Sequence, residues 1–198
     1  MPQTGGIYDV GIYATGEPPV PSRDAAGYSL GLRVGNGLLN LSSAGLAGAP
    51  RTDPNTILIR QMEVTIRDTA GNAVQVSGPN PYTVPAGGEA IPSGDGMALM
   101  EGIAYGEVIP AAYSQDLLNL VPAVGTEAAV VVSVRVVGLT VGNASVTSHA
   151  FNFPLTLCNE CLRSCPVDES GPICVAACVG GQDTIFCPTE PESCRLNR

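Results

Sequence analysis

Three features of the sequence predict an all-β body followed by an irregular, disulfide-rich tail. Gly (24) and Pro (17) are abundant among the 198 residues, together about a fifth against a usual background of roughly 12%, which suits many short strands joined by tight turns. Apolar and polar residues alternate along several stretches, the period of a strand with one buried face. All seven cysteines fall between Cys158 and Cys194. A body of this length can stand on a hydrophobic core, whereas a tail so dense in cysteine and so poor in apolar pattern needs cross-links. The division expected is an N-terminal arm at residues 1–23, a β domain at 24–157, and a tail at 158–198 packed on that domain.

The elements follow in chain order. In the arm, Tyr8, Val10 and Ile12 alternate like a short strand before Pro18, Pro19 and Pro21 stiffen a tether. Such an arm is either loosely held or pairs with a sheet edge, its own or a neighbour's. Tyr28, Leu30, Leu32 and Val34 share one face of the first clear strand, and Asn36-Gly37 is a turn signal. Residues 42–56 are small and polar and read as a loop. In the strand Ile57–Asp68, Met62, Val64 and Ile66 have one parity and Ile57 and Ile59 the other. A phase change near Arg60-Gln61 is the mark of a β-bulge. Asp68–Asn72 is a turn into a strand at Ala73–Ser77, and three prolines restrict Tyr82–Val84 to a broken edge strand.

Met97–Val108 is the next strand expected. Pro110 then opens a short helix to Leu120, with Tyr113, Leu117 and Leu120 at helical spacing, as a connector between two sheets. Ala128–Leu157 is a hairpin: Val130, Val132, Val134 and Val136 form one face, Gly142-Asn143 the turn, and Phe151, Phe153, Leu155 and Leu157 the returning face. The pattern predicts an antiparallel β-sandwich of about seven strands, laid out like immunoglobulin or fibronectin type III modules. The internal Cys and Trp residues of true immunoglobulin domains are missing, so the likeness concerns architecture.

Charge narrows the partners. The nine basic residues are all arginines, eighteen side chains are acidic, and the net charge is −9. Nucleic acid is not an expected partner, because phosphate binding needs a basic surface that releases counterions. No stretch approaches the roughly 20 apolar residues of a membrane span, and no charged n-region followed by an apolar h-region is visible in these residues. The cysteine tail nevertheless asks for export. The expectation is a mature form in which Met1 stands in place of what precedes Pro2 in a precursor.

Cys158, Cys161, Cys165, Cys174, Cys178, Cys187 and Cys194 are candidate disulfide partners. Their pairing is not deducible from spacing, and an odd count leaves one over. Zinc is the competing reading, since Cys158/Cys161 and Cys174/Cys178 are short-spaced pairs. Cys158-x2-Cys161-x3-Cys165-Pro166 also matches the end of a bacterial ferredoxin run, but Leu155 stands where the preceding ligand belongs. Redox chemistry at Cys158-x-x-Cys161 would need a strand-to-helix turn that lowers a thiol pKa, and here a strand runs into a Pro-containing loop.

Other chemistry has little to stand on. His149 shares parity with Phe151 and Phe153 and reads as a structural residue at the end of a core-facing row. No nucleophile elbow, zinc-protease or P-loop spacing occurs. Gly94-Asp95-Gly96 and Gly180-Gly181-Gln182-Asp183 lack the alternating ligands of a calcium loop, and Asp168-Glu169 reads as a solvated pair. No metal or cofactor is expected.

The segments Asn55–Asp68 (NTILIRQMEVTIRD), Tyr82–Pro85 (YTVP), Ile109–Leu118 (IPAAYSQDLL), HAFNFPLTLCNECL and GGQDTIFC together resemble a group of uncharacterised bacterial envelope lipoproteins from high-GC Gram-negative genomes. That resemblance implies a β-sandwich body, a terminal cysteine-rich segment, export, and a lipid anchor on an N-terminal Cys in the native precursor. The Pro-containing arm would then be a tether.

The functional expectation is a non-enzymatic structural or binding module, extracellular or on the outer envelope, whose partner is another protein or an envelope component. One alternative is a subunit of an extracellular fibre, self-associating by donating its Ile7–Tyr13 arm to a neighbour's sheet edge. Another is a metal-binding protein using the cysteine tail.

Overall fold

Val130, Val132, Val134 and Val136, the face read from the sequence, are all buried at the centre of the larger of two main sheets. The computed structural model describes residues 5–10, 27–40, 53–94, 99–159, 161, 167–168 and 171–172. In chain order the elements are β1 (Gly6–Asp9), β2 (Tyr28–Asn36), β3 (Ile57–Asp68), β4 (Tyr82–Pro85), β5 (Gly87–Gly88) and β6 (Met100–Ile109). A 3-10 turn at Ala111–Tyr113 leads into helix α1 (Ser114–Leu118). Then come β7 (Glu127–Thr140), β8 (Ser145–Thr147), β9 (Phe151–Cys158), β10 (Val167–Asp168) and β11 (Gly171–Pro172).

The larger sheet has the order β1-β9-β7-β3-β4, with β8 also on β7. The second sheet is β2-β6-β5, and β10 and β11 pair with each other. One hydrophobic cluster takes Met62, Val64, Ile66 and the four valines from the larger sheet and Tyr28, Leu32, Ala104 and Val108 from the smaller. The two sheets therefore share a core, and each fully buried aliphatic side chain in it contributes about 1.5–3 kcal/mol. The connector crosses from β6 to β7 and adds Tyr113, Leu117 and Val121 to the same cluster.

The expected bulge is present: the register of β3 on β7 shifts between Ile59 and Gln61, which lets both parities of β3 face inward in turn. Asn143, at φ 68°, turns the chain from β7 toward β8, a left-handed conformation that Asn tolerates. Gly106 allows close approach on β6, since a Cβ there would lie 2.9 Å from Pro85 O.

Several expectations change. The larger sheet is mixed, because β1 runs parallel to β9 while the other pairings are antiparallel. The arm is seated on the chain's own sheet edge, and Tyr8 and Val10 are fully buried. Ala73–Ser77 is not a strand. Only an isolated bridge forms at Ala73: Val74 N–H donates to Ile66 O at 3.0 Å, while the Asn80 side chain receives the Ile66 N–H at 3.0 Å and shares its carbonyl, donating at 2.8 Å.

The connector helix is shorter than Pro110–Leu120. The return strand of the last hairpin is split at residues 148–150, where the Ser148 hydroxyl accepts from Val136 N–H at 2.9 Å and donates to His149 O. His149 is consequently exposed rather than at the end of a core row.

Candidate functional site

The strand alternation of β9 ends at Cys158, where the cysteine tail begins. Leu155 and Leu157 point into the core, and Cys158 is itself fully buried. Cys158 and Cys161, of which the second is half-buried, are joined as a disulfide. The short turn between them is pinned on two sides. Asn159 N–H donates to Thr126 O at 3.2 Å, and Gly125 N–H donates to Asn159 O at 2.8 Å. The Asn159 side-chain nitrogen donates to Val121 O at 3.0 Å, so the loop leading from α1 to β7 fixes the start of the tail.

The arm completes the site from the other edge. On parallel strands β1 and β9, Asp9 is the register partner of Cys158, and Val10 N–H closes the pairing on Cys158 O at 2.9 Å. The fully buried Asp9 carboxylate and the two sulfurs lie within 4.8 Å of one another. The Asn159 side-chain oxygen is buried with no hydrogen-bond partner among the described residues, an acceptor of a kind folded proteins seldom leave unpaired.

Of the seven cysteines read from the sequence, the structure thus joins Cys158 to Cys161. Cys165, Cys174, Cys178, Cys187 and Cys194 lie outside the described residues. Asp9 and Asn159 were not singled out by the sequence. Asp9 alternates with Tyr8 and Val10 as an ordinary polar position, and only the long-range parallel pairing brings it to the sulfurs. Gly94 bridges to Leu39 as part of the fold, and Asp95, Gly96, Glu169 and residues 180–183 fall outside the described residues.

A second feature lies on the outer face of β6. Ile103 and Tyr105 are each 60% exposed, side by side in parity, with an ion pair between Arg33 and Glu101 beside them. Leu99, 63% exposed, shares this parity and lies beside Gly35 of β2 and Gly37 just after it. Large apolar side chains grouped on an open sheet face are the usual composition of a contact surface. No helix among the described residues is long and apolar enough to cross a membrane.

No protein-family model matches this chain, and no curated protein matches it closely enough to count as a relative.

Proposed function

We propose that this chain is an exported, non-enzymatic module of the cell envelope or extracellular space, acting by structure or by binding. The observation that carries the reading is the Cys158–Cys161 disulfide at the point where the cysteine tail leaves the β body. Disulfides persist in oxidising compartments and are rare where thiols are kept reduced. Five further cysteines downstream give the tail the composition of a cross-linked segment. The apolar group around Ile103 and Tyr105 is the surface by which such a module meets another protein or an envelope component.

The body is an immunoglobulin- or fibronectin-III-like sandwich in this reading. Its support is the strand order: β4-β3-β7-β9 corresponds to C′CFG and β2-β6-β5 to BED of that layout. The resemblance to bacterial envelope lipoproteins favours a lipid anchor ahead of the arm in the precursor.

The test is fractionation of cells making the natural precursor, with a membrane-impermeant thiol reagent added before and after reduction. The reading expects the chain in the envelope or medium, with its cysteines reacting mainly after reduction. Recovery from the cytoplasm with all cysteines reactive would overturn it.

One observation favours a second reading, the fibre subunit. β1 contributes Tyr8 to the core, and Val10 just after it is buried there too, yet β1 is joined to β2 only through residues 10–27, a stretch long enough to deliver the strand to another copy. Light scattering and electron microscopy decide it: filaments or exchanged dimers support donation, and a monomer at all concentrations removes it.

A further inference from the structure

We propose that reduction of the Cys158–Cys161 disulfide opens a site for one thiophilic divalent cation of the zinc class, held by the two sulfurs and the Asp9 carboxylate. The inference goes beyond the module reading and stands apart from it, since the oxidised chain keeps the site closed.

Four observations lead here. The donor atoms of Asp9, Cys158 and Cys161 already converge within 4.8 Å of one another. Ligands around a tetrahedral zinc ion with sulfur at about 2.3 Å stand about 3.5–4 Å apart, so the two sulfurs, bonded to each other in the oxidised chain, separate on reduction to make room for the ion while the Asp9 carboxylate already stands within reach. Asp9 and Cys158 sit opposite each other on adjacent strands, joined through the Val10 N–H bond to Cys158 O, which fixes two of the three ligands on regular backbone. Two residues separate the two thiols, the spacing of zinc-binding cysteine pairs.

Finally, the turn between them carries the buried, unpartnered side-chain oxygen of Asn159, an acceptor for a water in the open fourth position. Asp9 has an interaction of its own, and a carboxylate retains acceptor capacity beyond one partner.

The chemistry balances. An external dithiol gives up two electrons and two protons: its own S–S bond forms, the Cys158–Cys161 bond breaks, and both sulfurs become thiols. Cation binding then releases two protons as both sulfurs bind as thiolates. Because the Cys158–Cys161 ring encloses only two intervening residues, its closure constrains the unfolded chain less than a long-range cross-link does.

The test uses the full chain with Cys165, Cys174, Cys178, Cys187 and Cys194 replaced by Ser, reduced and titrated with Co2+ and then Zn2+. The expected result is one ion per chain with thiolate-to-cobalt absorption in the near ultraviolet, no uptake after reoxidation, and none in Cys158→Ser. Asp9→Asn should weaken binding by about tenfold or more, since losing a ligand costs no less than losing an outer-shell partner. No cobalt uptake by the reduced chain, or equal affinity in Asp9→Asn, would overturn the proposal. Should the five-serine chain lose its β circular dichroism, zinc is counted in the fully reduced seven-cysteine chain. One ion fewer in Cys158→Ser supports the site, and equal counts reject it.

Discussion

Tyr8 and Tyr28 pack edge to face with ring centroids 5.8 Å apart. Tyr8 lies on the arm strand at the edge of the larger sheet and Tyr28 on the first strand of the smaller one, so this contact closes one sheet over the other. The Phe153 ring of the larger sheet also packs on Tyr28, with centroids 6.0 Å apart. Because Tyr8 is fully buried, the Tyr8→Ala change should lower unfolding free energy by about 3–4 kcal/mol in a denaturant titration. A loss below about 1 kcal/mol, the range of ordinary surface changes, would mean that the arm is not part of the folded body.

Asn80 does the work of a missing strand. Besides its two bonds to Ile66, its side-chain nitrogen donates to Val74 O at 2.8 Å. Asn80→Ala removes the acceptor of the Ile66 N–H and the side-chain donor of Val74 O, while Ile66 O keeps the Val74 N–H, and should cost about 2 kcal/mol. Asn80→Asp keeps the acceptor for Ile66 N–H but removes both donated bonds, and should also destabilise. Hydrogen exchange at Ile66 should rise by an order of magnitude or more in Asn80→Ala; unchanged protection would contradict the role.

These two residues also mark what a sequence reveals. The bulge at Ile59–Gln61 and the valine face of β7 were legible because parity is a local property: a strand that changes phase, or keeps it over four valines, announces which side is buried. The connector from β6 to β7 was legible from helical spacing. Asn80 was not, because its partners lie six and fourteen positions away and a side chain that replaces a ladder leaves no period. The alternation of Tyr8 and Val10 suggested a strand, but not which edge it would take or that it would run parallel.

At the candidate site, Cys158 and Cys161 were legible as a short-spaced pair. Asp9 was not, since its proximity to the sulfurs comes from the β1–β9 pairing alone; Asn159 sits between the cysteines in sequence, but its bond to Val121 O and its buried oxygen are set by tertiary packing.

Tyr82 should give the protein an alkaline limit. Its hydroxyl donates to Val108 O, its ring meets Tyr113 edge to face at 5.1 Å, and burial pushes its pKa far above the ordinary phenol value, with Tyr113 and Glu107 adding to the shift. The neutral hydroxyl is favoured in the folded state, so its stabilising effect is complete below the unfolded phenol pKa of about 10 and is lost as pH rises above it. Ultraviolet titration of the protein against Tyr82→Phe should show that Tyr82 ionises only on unfolding, and the substitution should remove that group at a cost of about 1–2 kcal/mol at neutral pH. Full titration of every tyrosine near pH 10 in the folded state would contradict this.

The Asp53 carboxylate organises the loop before β3. It accepts the Ser93 hydroxyl and N–H, the Asn55 N–H and the Thr56 hydroxyl, and these bonds, the Ser93 hydroxyl first, hold its pKa below the ordinary carboxylate value against opposing desolvation. A depressed pKa means stabilisation that is present above the unfolded value of about 3.9 and is lost as pH falls through the folded one. Ser93→Ala should raise the Asp53 pKa toward that ordinary value in an NMR titration. An unmoved pKa would show that the hydroxyl is not the main cause.

The most direct measurement is the intact mass of native, non-reduced protein after alkylation, and again after reduction and alkylation. Seven cysteines is an odd number, so the account predicts three sulfur–sulfur bonds: one alkyl group on the native chain and seven on the reduced one. Native protein that takes seven alkyl groups at once, or that carries zinc or iron on those sulfurs, would contradict it.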